Sequence, residues 1–233
     1  MNSLPAHLSH NALGRIVTEW ANVIGVPPQD VSRDEWILVE RADLDAVVAV
    51  NVDGFGFAAA PPRVLDLLRN APPESLLDAA GLARRLPAGA HPIGRADLLF
   101  ADRVPPLRRL NVREAAPADV VAVRGRVSAS EWEESGIEET ERKWAAMDSA
   151  GSPAAIAGFK RWRSELAQMA VLADPRHRGA GCAYAAAAVA TQETVRAGLI
   201  AQWRSRQGND ASRRLAQRLG FTHCGVQAAV ELS

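Results

Sequence analysis

Asp174-Pro175-Arg176-His177-Arg178-Gly179-Ala180-Gly181-Cys182-Ala183 separates two regular stretches of sequence. Before it, Glu165 to Ala173 alternates Leu166, Gln168, Ala170 and Leu172 with Ala167, Met169 and Val171, the period of a strand. After it, an alanine-rich stretch over about 182–197 reads as a long helix, with Gly198 placed as its left-handed cap. Pro175 stops the strand. Gly179 and Gly181 let the backbone turn sharply and approach a ligand without Cβ obstruction. The helix start aims its free N–H groups into that turn, and successive N–H groups in a turn make a nest for phosphate oxygens. Arg178 adds a forked positive charge, and the small Ala183 keeps the first helical turn narrow. The construction fits a pyrophosphate.

Other phosphate loops fit less well. No Gly-Lys-Ser/Thr triplet follows, as a P-loop needs. Tyr184 stands where a dinucleotide fingerprint needs a small residue. Outward from the loop, Leu199 to Arg204 reads as a strand, Asn209 or Asp210 caps a helix closed by Gly220, and Val226 to Leu232 is a final strand. Upstream, Asn111 to Arg113 begins a strand and 117–128 and 137–141 read as helices. Trp144 to Met147 and Ala154 to Arg163 read as strands. Residues 8–24 repeat apolar positions at helical spacing. Trp36 to Glu40, Ala46 to Val52 and Phe55 to Ala60 read as strands broken by the hairpin signal Asp53-Gly54. Stretches 62–69 and 73–85 read as helices. Val104-Pro105-Pro106 marks the expected boundary between residues 1–108 and 109–233. Strands alternating with helices imply an α/β arrangement.

Arg178-x-x-Gly181-x-Ala183 after a strand resembles the acyl-CoA signature of the GNAT acetyltransferases, Gln/Arg-x-x-Gly-x-Gly/Ala. Asn209-Asp210-Ala211-Ser212-Arg213-Arg214-Leu215-Ala216-Gln217-Arg218-Leu219-Gly220-Phe221 resembles that family's second signature at Asn209, Ser212, Leu215 and Leu219-Gly220-Phe221. The resemblance covers about 111–233. It implies a mixed, mostly antiparallel sheet flanked by helices, an α/β (α+β) fold, beside a smaller N-terminal α+β domain that carries no nameable motif. It implies acetyl-CoA as co-substrate in an opening between Glu165–Ala173 and Leu199–Arg204. The backbone around Met169, Ala170, Val171 and Leu172 would then bond the pantetheine. The N–H groups of Arg178, Gly179, Ala180, Gly181, Cys182 and Ala183 would hold the pyrophosphate, with Asn209 and Ser212 near the cofactor. The family's usual tyrosine after Leu215, its proton donor, is Ala216 here, and Tyr184 is the chain's only tyrosine.

An amine must lose a proton before it attacks, which calls for a base. Glu165 opens the central strand where several family members keep a glutamate, and Glu134 belongs to the acidic run Glu131, Glu133, Glu134, Glu138, Glu139 and Glu141. Each also reads as a solvated surface carboxylate. Trp132 and Trp203 could wall an acceptor site or simply fill a core. Residues 171–233 hold 8 basic and 4 acidic side chains; such a basic segment beside the acidic Glu run suits an anionic cofactor and a cationic acceptor. Of the 27 basic residues only Lys143 and Lys160 are lysines, a coding bias rather than a signal of phosphate chemistry. The net charge of zero argues against a nucleic-acid coat protein. The first ten residues lack a signal peptide's apolar core, and no run is long enough to cross a bilayer. Two cysteines make neither a disulfide framework nor a four-ligand zinc site, and His223 with Cys224 has no partner set, so no metal is expected. The expectation is a cytoplasmic monomer or homodimer that acetylates an amine-bearing acceptor, with no nucleic-acid or membrane partner. The rivals are a non-catalytic acyl-CoA sensor and an interaction module.

Overall fold

The computed structural model describes residues 8–107 and 111–233. Most of the N-terminal segment read for a signal peptide, and the cut at 108/109, lie outside them. In chain order the elements are α1 (His10–Ile24), β1 (Trp36–Glu40), β2 (Ala46–Val52), β3 (Phe55–Ala60), α2 (Pro62–Arg69), α3 (Ala79–Ala83) and β4 (His91–Ala101). Then follow β5 (Val112–Glu114), α4 (Pro117–Arg124), α5 (Ala129–Ser135), β6 (Arg142–Met147), β7 (Pro153–Arg161) and β8 (Leu166–Ala173). The chain ends with α6 (Cys182–Arg196), β9 (Ile200–Arg206), α7 (Asp210–Arg218) and β10 (Thr222–Glu231).

The described chain forms two compact units, each discontinuous in sequence. One holds Leu13–Leu99, Arg204–Arg213 and His223–Ser233; the other holds the described residues of Phe100–Trp203 and Arg214–Thr222 with residues 8–12. This differs from a single cut near Pro106. Strand pairing is the reason: β10, from the far end of the chain, zips antiparallel onto β2 from Gly225↔Val52 to Glu231↔Ala46.

In the first of these units the strands run β1-β3-β2-β10-β4. The expected hairpin is present, with Asp53 and Gly54 both at positive φ (50° and 89°), the conformation that matches strand twist in a two-residue turn. Val47, Ala49, Ala58 and Ala60 on the sheet pack with Val64, Leu65 and Leu68 of α2 and with Leu76 and Leu82. The helix expected over 73–85 breaks at Asp78 into a 3-10 turn and the short α3, because the Asp78 carboxylate caps Gly81 N–H at 3.0 Å.

In the other unit the strands run β9-β8-β7-β6-β5, antiparallel except for β8 with β9. Successive residues of β8 face opposite sides. Ala170 and Leu172 pack with Val123 of α4, Trp132 of α5 and Ile156, whereas Met169 Sδ accepts from Thr194 Oγ1 of α6 at 3.6 Å. Helices therefore cover both faces. The helix expected over 117–128 ends at Gly125, and a new one starts where Ser128 and Glu131 cap each other's N–H groups at 3.0 and 3.2 Å.

Candidate active site

The loop between β8 and α6 is built from a buried carboxylate outward. Asp174 still pairs with β7, its N–H reaching Ala154 O at 2.9 Å, and its side chain has no exposed surface. Oδ1 accepts from Arg176 N–H at 3.0 Å and Nε at 3.1 Å; Oδ2 accepts from Arg176 Nη2 at 2.6 Å and Arg126 Nη1 at 3.3 Å. His177 places Nδ1 3.5 Å from the same carboxylate and Nε2 3.3 Å from Asp148. The Arg176 guanidinium, the Arg176 N–H and His177 hold the Asp174 carboxyl far below the usual range against the cost of burial. This network fixes the backbone that leads into the two glycines.

Gly179 (φ 82°) and Gly181 (φ 89°) then turn the chain into α6. Among the described residues, the N–H groups of Gly179, Gly181, Cys182 and Ala183 have no acceptor, whereas Ala180 N–H bonds to His177 O at 3.2 Å. A Cβ built at Gly179 meets nothing within 4 Å, so that side of the loop is open. A row of unpaired donors at the positive end of a 15-residue helix fits the pyrophosphate of a CoA thioester. The Arg178 guanidinium pairs with Glu131 of α5, whose carboxyl is held low by Ser128 N–H, Ser128 Oγ and Arg178. Burial, and then Asp148, push the Cys182 thiol up, so it sits in the cradle as a neutral side chain.

Beside the loop, β8 loses its neighbour. Its pairing with β9 covers Leu166↔Ile200, Ala167↔Ala201 and Gln168↔Gln202, and β8 continues to Ala173 without it. The backbone of Met169, Ala170, Val171 and Leu172 thus has one edge outside that ladder, the arrangement a pantetheine arm could use. Gln168 and Gln202 stand at the last rung. They were missed from sequence, although a polar residue inside each of two apolar strands is a readable signal.

Glu165 lies one residue before β8, at the closed end of the ladder, where its carbonyl accepts Ile200 N–H at 2.9 Å. Glu134 is exposed on α5. Trp132 is 7% exposed; its Nε1 donates to Glu138 at 3.1 Å, and the Arg124 guanidinium covers its ring at 4.9 Å. With Val120, Val121 and Lys143 these residues line a cavity of about 400 Å³. Trp203 is 3% exposed and packs edge-to-face on Phe221 at 5.4 Å. Tyr184 donates its hydroxyl to Pro106 O at 2.9 Å, a packing role. Ala216 is fully buried, so the position that bears a phenol in the resembling family points into packed protein here.

Asn209 and Ser212 belong to the other unit, at the start of α7. Asn209 Oδ1 caps Ser212 N–H at 3.0 Å, and Asn209 lines a small cavity of about 180 Å³ with Arg95, Asp97, Arg206 and Arg213. Cys224 is held neutral, its thiol pushed up to about 12 by burial and Asp53. Among the described residues there is no cluster of three His, Cys, Asp or Glu side chains that could hold a metal ion, and no helix is long and apolar enough to cross a membrane.

Residues 110–221 match the model of the acetyltransferase (GNAT) family. Among solved structures, a GCN5-related N-acetyltransferase from Kribbella flavida superposes with a TM-score of 0.50 at 20% identity, over 66% of this chain and 62% of its own. A protein of Novosphingobium aromaticivorans assigned to the GNAT family gives 0.49 at 23% identity, over 63% and 69%. A GNAT superfamily phosphinothricin acetyltransferase from Sinorhizobium meliloti, solved in complex with acetyl-CoA, gives 0.41 at 15%, over 53% and 88%. No curated protein matches the chain.

Proposed function

With residues 110–221 a GNAT acetyltransferase domain, we propose that the protein moves an acetyl group from acetyl-CoA to the nitrogen of an amine-bearing acceptor. The observation that carries this reading is the set of unpaired N–H groups of Gly179, Gly181, Cys182 and Ala183, beside a strand that parts from its neighbour after three rungs. The loop binds the pyrophosphate, Arg178 exchanging Glu131 for a phosphate oxygen, and the open edge of β8 holds the pantetheine arm. Asn209 and Ser212 remain candidate cofactor contacts.

Acetyl-CoA supplies an activated thioester carbon. Bond formation between the amine nitrogen and that carbon breaks the C–S bond, and the electron pair leaves with sulfur. With Ala216 in place of a phenol, sulfur departs as a thiolate. This is tolerable because a thiol pKa of about 8.5 lies near neutral pH. A carboxylate takes the amine's proton. Glu134 is favoured for this, because it lies on α5, on the side of β8 that Ala170 and Leu172 face. The Trp132 cavity, lined by Arg124 and Lys143 as well as Glu138, is the candidate acceptor site, whereas Trp203 acts as packing. The free thiols of Cys182 and Cys224 fit a reduced cytoplasmic setting.

The test is CoA release from acetyl-CoA across a panel of polyamines, aminoglycosides, amino acids and peptide N-termini. Acceptor-dependent release is expected, lowered about 10²-fold or more in whichever of Glu165→Gln and Glu134→Gln removes the base. Acetyl-CoA binding with no release to any amine would contradict transfer to nitrogen.

A further inference from the structure

The strands β8 and β9 carry parallel four-residue patterns, Leu166-Ala167-Gln168-Met169 and Ile200-Ala201-Gln202-Trp203, and the register sets the two glutamines opposite each other. Gln202 has no exposed surface, and Gln168 is half-buried. Gln202 Nε2 donates to Gln168 Oε1 at 3.0 Å, and Gln168 Nε2 donates to Met169 O at 3.1 Å. Two primary amides among Ala, Leu, Ile and Met side chains are costly unless they bond to something, and here they bond to each other and to the main chain.

The place of this pair is informative. In a parallel ladder every second carbonyl of one strand faces the other, and Glu165 O accepts Ile200 N–H. That period makes Glu165, Ala167 and Met169 the residues whose carbonyls face β9. At Met169 the Gln168 side chain takes the carbonyl instead. The pair therefore ends the ladder and caps the carbonyl that the parting strands would leave bare. From Ala173, beside the phosphate loop, to Met169 is about 13 Å of strand. An arm that starts at the cradle and runs along that edge arrives, with its reactive end, at the glutamines.

We infer that the hydrogen-bonded pair Gln168–Gln202 is the floor of the acyl site and restricts the protein to a short acyl group. The inference rests on the acyl-CoA reading of the loop and adds to it a specificity-determining element. The floor is stiff because each amide is planar and Gln168 is held at both ends. A longer chain has to break a buried hydrogen-bonded pair to be accommodated, and a fitted site discriminates by about tenfold or more per methylene.

The experiment is a titration of the full chain with acetyl-, propionyl- and butyryl-CoA, read by calorimetry, followed by the same series on Gln202→Ala with its melting temperature. In the wild type the affinity should fall about tenfold per added methylene. In Gln202→Ala the butyryl penalty should shrink about tenfold or more while acetyl-CoA still binds. If that variant fails to fold, Gln168→Ala takes its place, and the wild-type series alone remains decisive. Butyryl-CoA binding as tightly as acetyl-CoA to the wild type would overturn the floor and leave the proposed function standing. Binding of none of the three would overturn the proposed function and this inference with it.

Discussion

Asp174→Asn removes one charge from the centre of the network that shapes the loop. The carboxylate has no exposed surface, and both of its oxygens accept from guanidinium or main-chain donors. An asparagine has the same shape, but one of its two positions becomes an NH₂ facing donors, so at least one N–H donor loses its acceptor in either orientation, and the charge opposite both guanidinium groups is gone. Breaking a buried ion pair by removing one member costs about 3–5 kcal/mol. Here the arginine side chains are partly exposed, 30% for Arg126 and 64% for Arg176, and can turn to water, which places the expected loss near 3 kcal/mol. At about 2–4 °C per kcal/mol for a chain of this size, the melting temperature should drop by about 6–12 °C near neutral pH. The pH dependence has a definite sign. The folded-state value of Asp174 is depressed below the unfolded value of about 3.9, so its contribution is present above about pH 4 and is lost as the pH falls further. The deficit of the variant should therefore be constant around neutrality and close toward strong acid. Melting curves of both proteins from about pH 3 to about pH 7 test this. A variant that melts within about 1 °C of the parent at neutral pH, or a deficit that persists in acid, would refute the network's role.

Gly181→Ala places a side chain at φ 89°, a left-handed conformation costing about 1–2 kcal/mol. Acetyl-CoA affinity should fall at least tenfold in a variant that still folds, and affinity within threefold of the parent would mean that the loop is not the cradle. Ala216→Tyr should lower the melting temperature through overpacking worth about 1–3 kcal/mol, because residue 216 is fully buried; an unchanged melting temperature with faster CoA release would mean that a phenol does reach the sulfur there.

The loop was legible because its chemistry is local. Pro175, Gly179, Gly181 and the alanine-rich helix each announce their role through backbone preference, and Asp53-Gly54 does the same for the hairpin. β4 was not legible. His91–Ala101 carries Pro92 and Gly94 near its start, and it ends in the fully buried Leu98-Leu99-Phe100, so it shows neither a strand's alternation nor a helix's period. The two units were hidden for a related reason, since composition along the chain does not reveal that β10 pairs with β2. The shape of the loop after β8 depends on Asp174 gathering Arg126 from 48 positions upstream, and the Gln168–Gln202 rung depends on strand register 34 positions apart; such tertiary pairings leave only a polar residue in an apolar run as their trace.

The most direct test of the central claim is thermal unfolding of the full chain with acetyl-CoA, with dephosphorylated pantetheine carrying the same acetyl group as the comparison. At about 100 times its dissociation constant, acetyl-CoA should stabilise the protein by about 2.7 kcal/mol, a rise of about 5–11 °C, while acetyl-pantetheine, which offers nothing to the N–H groups from Gly179 to Ala183, should shift it by far less. No rise with millimolar acetyl-CoA, or an equal rise with acetyl-pantetheine, would contradict the account.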